Sequence, residues 1–147
     1  MAKFKYRMQN ILDIKRKLEE QEKINYSLAN AKLETEKQEL QKLILKRLGY
    51  ERRAKELMTG ALNFLEIRSC KTAIDTMKVL VRAQMLKVHA AEQELELARR
   101  KLKEVMIERK THEKLREKAF DEFKQEIEHE ESKEIDELVS YSFNKQD

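Results

Sequence analysis

Thr59-Gly60-Ala61-Leu62-Asn63 decides how this chain folds. On both sides the sequence reads as helix, with apolar residues seven apart, charge between them and no proline anywhere. Inside the stretch that pattern stops. Gly60 is one of two glycines in 147 residues and follows Leu57 and Met58, the last strongly periodic residues upstream. A glycine just past a helix end is the usual route to the left-handed backbone that terminates a helix, so Gly60 is expected to play that part. Asn63 with Glu66, or Thr72 with Asp75, offers a capping box for the next helix. Both starts stay open at this point. The expected fold is all-α: a long two-helix antiparallel coiled-coil hairpin forming one domain over residues 1–147.

Composition supports this. Charged residues make up 41% of the chain and aromatics 6%, with no Trp, a profile of long helices rather than of globular enzymes. The apolar residues form a stripe and never gather into a run that fills a thick core, while the sustained heptads argue against disorder. No apolar run approaches the ~18 residues of a membrane span, and Met1-Ala2-Lys3-Phe4-Lys5 carries no signal-peptide core. The single Cys70 has no internal disulfide partner and fits a reducing cytosol.

Working outward, helix 1 is expected over about residues 4–58, the turn over about 59–68, helix 2 over about 69–140, and a frayed tail at 141–147. The helix 1 seam opens with Phe4, Met8, Ile11, Ile14 and Leu18, near the 3–4 spacing of a coiled-coil stripe. A weak stretch follows, carried by Ile24, Tyr26, Leu28 and Ala29. From Leu33 the phase is clear: Leu33, Leu40, Arg47, Ala54 and Ala61 form one row, and Glu36, Leu43, Tyr50, Leu57 and Phe64 the other. Helix 2 is more regular. Ile67, Ile74, Val81, Val88, Leu95 and Leu102 are seven apart, beside Cys70, Met77, Gln84, Ala91, Ala98 and Val105. Beyond Met106 the phase is expected to shift to Leu115, Phe120, Phe123, Ile127, Leu138 and Tyr141. A period near 3.5 implies a left-handed supercoil. Counted from the turn, Phe4 meets the region of residue 120, and the C-terminal segment of helix 2 overhangs its partner.

Charge is unevenly spread. Residues 1–62 hold 15 Lys/Arg against 9 Asp/Glu, residues 63–110 hold 11 against 7, and residues 111–147 hold 6 against 12. An antiparallel hairpin brings the acidic end near the basic N-terminal segment, although each exposed pair contributes only about 0–1 kcal/mol. Leu43-Ile44-Leu45 with Leu48, and Val79-Leu80-Val81, put apolar residues on more than one helix face. Some of Ile44, Leu45, Leu48, Val79 and Leu80 therefore stay exposed, as a partner site or as broader packing near the turn. Gly49, in mid-helix, costs about 1 kcal/mol relative to Ala and either admits another backbone or is simply tolerated.

No catalytic constellation emerges, and no metal or cofactor is expected. His112-Glu113 and His129-Glu130 resemble half of a zinc-protease helix, but Arg116 and Lys133 occupy the second ligand position, where a cation repels a metal. Cys70 has no assigned base partner, and two glycines eleven residues apart make no phosphate-binding loop. Arg52-Arg53 and Arg99-Arg100-Lys101 lack interleaved aromatics, so nucleic acid is not an expected partner. No direct membrane insertion is expected either.

The two ends of the chain carry a resemblance. Phe4-Lys5-Tyr6-Arg7-Met8-Gln9-Asn10-Ile11-Leu12-Asp13-Ile14-Lys15 resembles the opening of FliJ proteins of the bacterial flagellar export apparatus, particularly of clostridial type. Glu108-Arg109-Lys110-Thr111-His112-Glu113-Lys114-Leu115-Arg116-Glu117-Lys118, then Asp136-Glu137-Leu138, resembles their other end. The resemblance implies a non-enzymatic stalk, similar to the central subunit of rotary ATP synthases, at the cytoplasmic face of the inner membrane. Its implied partners are the hexameric flagellar export ATPase, the cytoplasmic domain of the export-gate membrane protein, and flagellar export chaperones. On it, Phe4, Tyr6, Arg7, Ile11, Arg109, Leu115, Phe120 and Phe123 form or brace the ATPase-binding end. Leu43, Tyr50, Met77, Leu80 and Gln84 belong to the export-gate surface, although the seam rows equally predict burial for Leu43, Tyr50, Met77 and Gln84. The chain has Cys70 and Ala73 where aromatic residues can occur in that family. The rival readings are a coiled-coil adaptor or chaperone using an apolar patch near the turn, a parallel dimer of one continuous helix, and a nucleic-acid-binding rod.

Overall fold

The computed structural model describes residues 2–145. Two α-helices, α1 (Gln9–Leu57) and α2 (Phe64–Lys145), pack against each other as an all-α antiparallel hairpin. Among the described residues no helix is long and apolar enough to cross a membrane. The chain divides into two compact units, residues 22–102 and residues 1–21 with 103–147.

In the unit of residues 22–102 the expected rows pack except at Tyr50, Ala61 and Phe64, which are exposed: Ala61 lies in the turn and Phe64 opens α2 with its ring away from the seam. Leu33, Val88 and Ala91 form the buried cluster, with Leu40 and Leu95 against it. Val81, Cys70 and Gln84 are buried along the same stripe of α2. Gln84 donates to the Glu36 backbone oxygen at 3.0 Å and to its carboxylate, so this polar side chain is satisfied inside the seam. Between Glu22 and Leu33 the seam runs through Tyr26 and Ala29, while Ile24 and Leu28 are exposed and do not carry it.

The turn resolves the two alternative helix starts. Asn63 caps α2: its side-chain oxygen accepts from the Glu66 amide at 3.3 Å and its backbone oxygen from Ile67 at 3.0 Å. Thr72 instead donates its hydroxyl to the Arg68 carbonyl at 3.0 Å inside the helix, so α2 begins at Phe64 rather than near residue 69. The end of α1 does not use glycine as expected. No described residue, Gly60 included, has a positive φ. The last carbonyls are taken up by three-residue bonds, Met58 N to Lys55 O and Thr59 N to Glu56 O, both 3.2 Å, and by the Thr59 hydroxyl on Glu56 O at 2.7 Å.

In the other unit the seam is not the one the apolar residues suggested. Met8, Ile11, Ile14 and Leu18 are between 38% and 54% exposed. The buried positions are Leu12, 0% exposed, and Glu19, 5% exposed, with half-buried Lys15 between them. On α2 the phase does not shift after Met106. Arg109, Phe123, His112 and Ala119 continue the rows of Leu102 and Val105 at seven-residue spacing, and Leu115 is exposed. Polar side chains hold seam positions because they are paired across it, as described below. α1 starts at Gln9, five residues later than expected, because Phe4 leaves helical register to lie on α2. From residue 128 to residue 145 every α2 residue is exposed, and α2 continues five residues beyond the expected end; Gln146 and Asp147 of the expected tail lie outside the described residues.

Candidate functional site

The terminal unit gathers most of the residues assigned to partner binding. Phe4 packs edge-on against Phe120, with ring centroids 5.1 Å apart and planes at 74°, and lies 5.5 Å from Phe123. The Arg116 guanidinium sits 5.6 Å from the Phe4 ring centroid and donates to Gln9 Oε1 at 2.9 Å, closing the cluster with a cation–π contact. The Lys124 ammonium lies 5.7 Å from the Phe120 ring. Tyr6 is half-buried beside this cluster, while Arg7, Ile11 and Leu115 are exposed.

About two helical turns further along, charges replace the apolar seam. Arg109 on α2 donates through Nε and Nη2 to the buried Glu19 carboxylate, and through Nη1 to Glu113 at 2.9 Å. Glu113 also receives Arg16 at 3.4 Å, and Lys15 pairs with Glu108 at 2.6 Å. The hydrogen bond to Glu19, then that to Glu113, pushes the Arg109 pKa up, so this guanidinium stays charged. Arg109 thus links the two helices, whereas Arg7, Ile11 and Leu115 face outward. A one-step slip of the helices would separate Arg109 from the buried Glu19 carboxylate and leave that charge without this partner.

In the other unit the residues assigned to the export gate divide similarly. Gln84 is buried and Leu43 and Met77 half-buried, while Tyr50 and Leu80 are exposed. A shallow groove of about 390 Å³ is lined by Lys46, Gly49, Tyr50, Arg53 and Met77. A Cβ on Gly49 would meet nothing within 4 Å, so no packing inside the hairpin requires this glycine and the groove floor is open to a partner. Leu45, Leu48, Val79 and Leu80 are exposed, as expected from their surplus faces, and Ile44 is half-buried.

Other candidates stay apart. Cys70 is buried. Among the described residues no group of three His, Cys, Asp or Glu is placed to hold a metal ion. Arg99 and Arg100 both pair with Glu96, at 2.6 and 3.4 Å. The Arg99 hydrogen bond is the main cause that lowers the Glu96 carboxyl to about 2. The seam residues that apolar patterning missed, Glu19 and Arg109, have a signal in the sequence. Counting back by sevens from Leu33 reaches Tyr26, Glu19 and Leu12, and counting forward from Leu102 reaches Arg109, Arg116 and Phe123.

The geometry defines a two-helix hairpin with an aromatic–cationic cluster in one unit and an open groove in the other. The sequence model of one family, described as Flagellar FliJ protein, matches residues 4–147. The chain therefore belongs to the FliJ family, which implies a flagellar, export-related role. No curated protein and no solved structure gave a match.

Proposed function

We propose that the chain is a non-enzymatic, stalk-like component of the flagellar type III export apparatus. In this reading its terminal end enters the hexameric export ATPase and promotes assembly and activity. Its other unit links the ATPase to the cytoplasmic domain of the export gate and to export chaperones, at the cytoplasmic face of the inner membrane. The observation that carries it is the family match over residues 4–147. The terminal unit supports it, with exposed Arg7, Ile11 and Leu115 as contacts and Phe4, Tyr6, Arg109, Phe120 and Phe123 as the bracing beneath them. Leu43, Tyr50, Met77, Leu80 and Gln84 form or brace the gate-facing side, where the groove at Gly49 offers room.

The mechanism is a shift of populations. A helical pair bound within a ring favours those subunit conformations it binds more tightly, and only to the extent of that difference. The test is Arg7→Glu combined with Leu115→Glu, both exposed, assayed for binding to the purified export ATPase. A loss of affinity of about tenfold or more is expected for residues central to an interface. Unchanged affinity removes both residues from the contact. A second reading, a coiled-coil adaptor or chaperone, is favoured by the exposed patch of Leu45, Leu48, Val79 and Leu80. It requires that Leu45→Ser with Val79→Ser abolish client binding, whereas the stalk reading leaves ATPase binding intact in that variant.

A further inference from the structure

The seam ends at Leu57 on α1 and resumes at Ile67 on α2, and the apolar residues between them serve no packing role in the hairpin. Met58 is 64% exposed, Leu62 55%, Phe64 75% and Leu65 81%, four large apolar side chains within eight consecutive residues. We propose that this turn docks on the surface of an anionic phospholipid bilayer, its apolar side chains entering the boundary between headgroups and acyl chains.

Charge supplies the second half of the match. Arg52, Arg53 and Lys55 on α1 and Arg68 and Lys71 on α2 are all exposed, and among the described residues none of the five holds an ion pair. Each stands three to six residues from the nearest apolar residue of the turn. At 1.5 Å per residue this is roughly 4–9 Å along a helix, comparable to the ~5–10 Å by which interfacial segments sink their apolar face. A basic collar at that height meets the phosphates while the apolar residues lie below them. Three carboxylates share the region. Glu51 approaches Arg47 at 3.5 Å, Glu66 lies in the first turn of α2 where the helix dipole favours a negative charge, and Glu56 is exposed. Cations outnumber acids five to three, and they flank the turn on both helices.

A bilayer fits this surface better than a protein groove does. Groove-binding helices present anchors at i, i+3, i+4 and i+7 along one face. Here Met58, Leu62, Phe64 and Leu65 follow one another around a turn and share no helix face. The contact is adsorption at the headgroup layer; among the described residues no helix is long and apolar enough to cross a membrane, and the proposal departs from the expectation of no direct membrane insertion only to that depth.

The experiment uses the full chain with vesicles of phosphatidylcholine, alone or mixed with phosphatidylglycerol. Binding is expected on the anionic vesicles, at least about tenfold stronger than on neutral ones at low salt and weakened at high salt. Arg53→Gln with Arg68→Gln lowers it by roughly 25-fold, about fivefold per cation. Phe64→Ser with Leu65→Ser, checked for helix content by circular dichroism, lowers it by about tenfold or more. Phe64→Trp reports insertion directly, since its emission shifts to the blue on anionic vesicles if the ring leaves water. No blue shift, or wild-type vesicle binding by the Phe64→Ser/Leu65→Ser variant, overturns the proposal. So does protection of these side chains by the export-gate cytoplasmic domain in the absence of any vesicle binding, which makes the turn a protein contact.

Discussion

Replacing Leu12 with Ala tests the packing of the terminal unit at its most enclosed point. Leu12 is the one large side chain that is 0% exposed among the described residues, and it sits on α1 one position from Ile11 and two from Ile14. Leu→Ala in a compact core costs about 2–5 kcal/mol, the transfer of the lost methylenes plus the cavity left behind. A seam of two helices is flanked by water and relaxes or hydrates more easily than a thick core, so the lower part of that range applies, about 2–3 kcal/mol. At roughly 2–4 °C per kcal/mol for a chain of this size, the melting temperature falls by about 4–12 °C. Ile14→Ser is the control. Ile14 is 54% exposed and its replacement stays within about 0.5 kcal/mol. Thermal and urea unfolding followed by helical circular dichroism measure both. If Leu12→Ala is silent and Ile14→Ser costs more than about 1 kcal/mol, the seam runs through Ile11, Ile14 and Leu18 and the packing described here is wrong.

Arg109→Leu and Glu19→Leu should each lower the melting temperature, and the double replacement should recover most of the loss, because a buried pair exchanged together for apolar groups leaves no charge stranded. Strictly additive losses in that cycle would show that the two side chains do not interact. Glu96 titrates near 2 because Arg99 holds its ionised form. Its folded pKa lies below the unfolded value, so this contact supports the helix above pH about 4.5 and is lost as pH falls toward 2. Carboxyl NMR should find that midpoint, and Arg99→Gln should move it up toward the ordinary glutamate range; a midpoint unchanged by Arg99→Gln would remove the cause.

The α2 rows from Ile67 to Val105 were legible because nearly every seventh residue is apolar or small, while the surplus apolar residues such as Val79, Leu80 and Leu86 sustain no row of that length. The same logic failed in the first twenty residues, where Met8, Ile11, Ile14 and Leu18 mimic a seam on a neighbouring flank. The true positions hold Lys15 and Glu19, which no hydrophobic count selects, and only their partners Glu108 and Arg109 explain their burial. Carrying the seven-residue rows back from Leu33 and Glu36 reaches Glu19 and Lys15, since register persists along a helix even where its residues change character. At the turn, Asn63 and Thr72 are equally good caps by residue type. Asn63 makes the capping bonds, and the helix that starts there already carries half-buried Ile67 and buried Cys70 before Thr72 is reached. Gly60 was read by its freedom to adopt positive φ, but Thr59 supplies the closing hydrogen bonds and that freedom is unused. In the terminal cluster, the meeting of Phe4 with Phe120 follows from counting back from the turn, whereas the Arg116 contact does not.

The most direct test of the export-stalk account is ATP hydrolysis by the purified flagellar export ATPase of the same organism, titrated with this protein while hexamer formation is followed. The account predicts stimulation that saturates near one hairpin per ring and is lost in the Arg7→Glu/Leu115→Glu variant. Folded, helical protein that neither binds the ATPase nor changes its assembly or turnover would contradict it and leave the adaptor as the better reading.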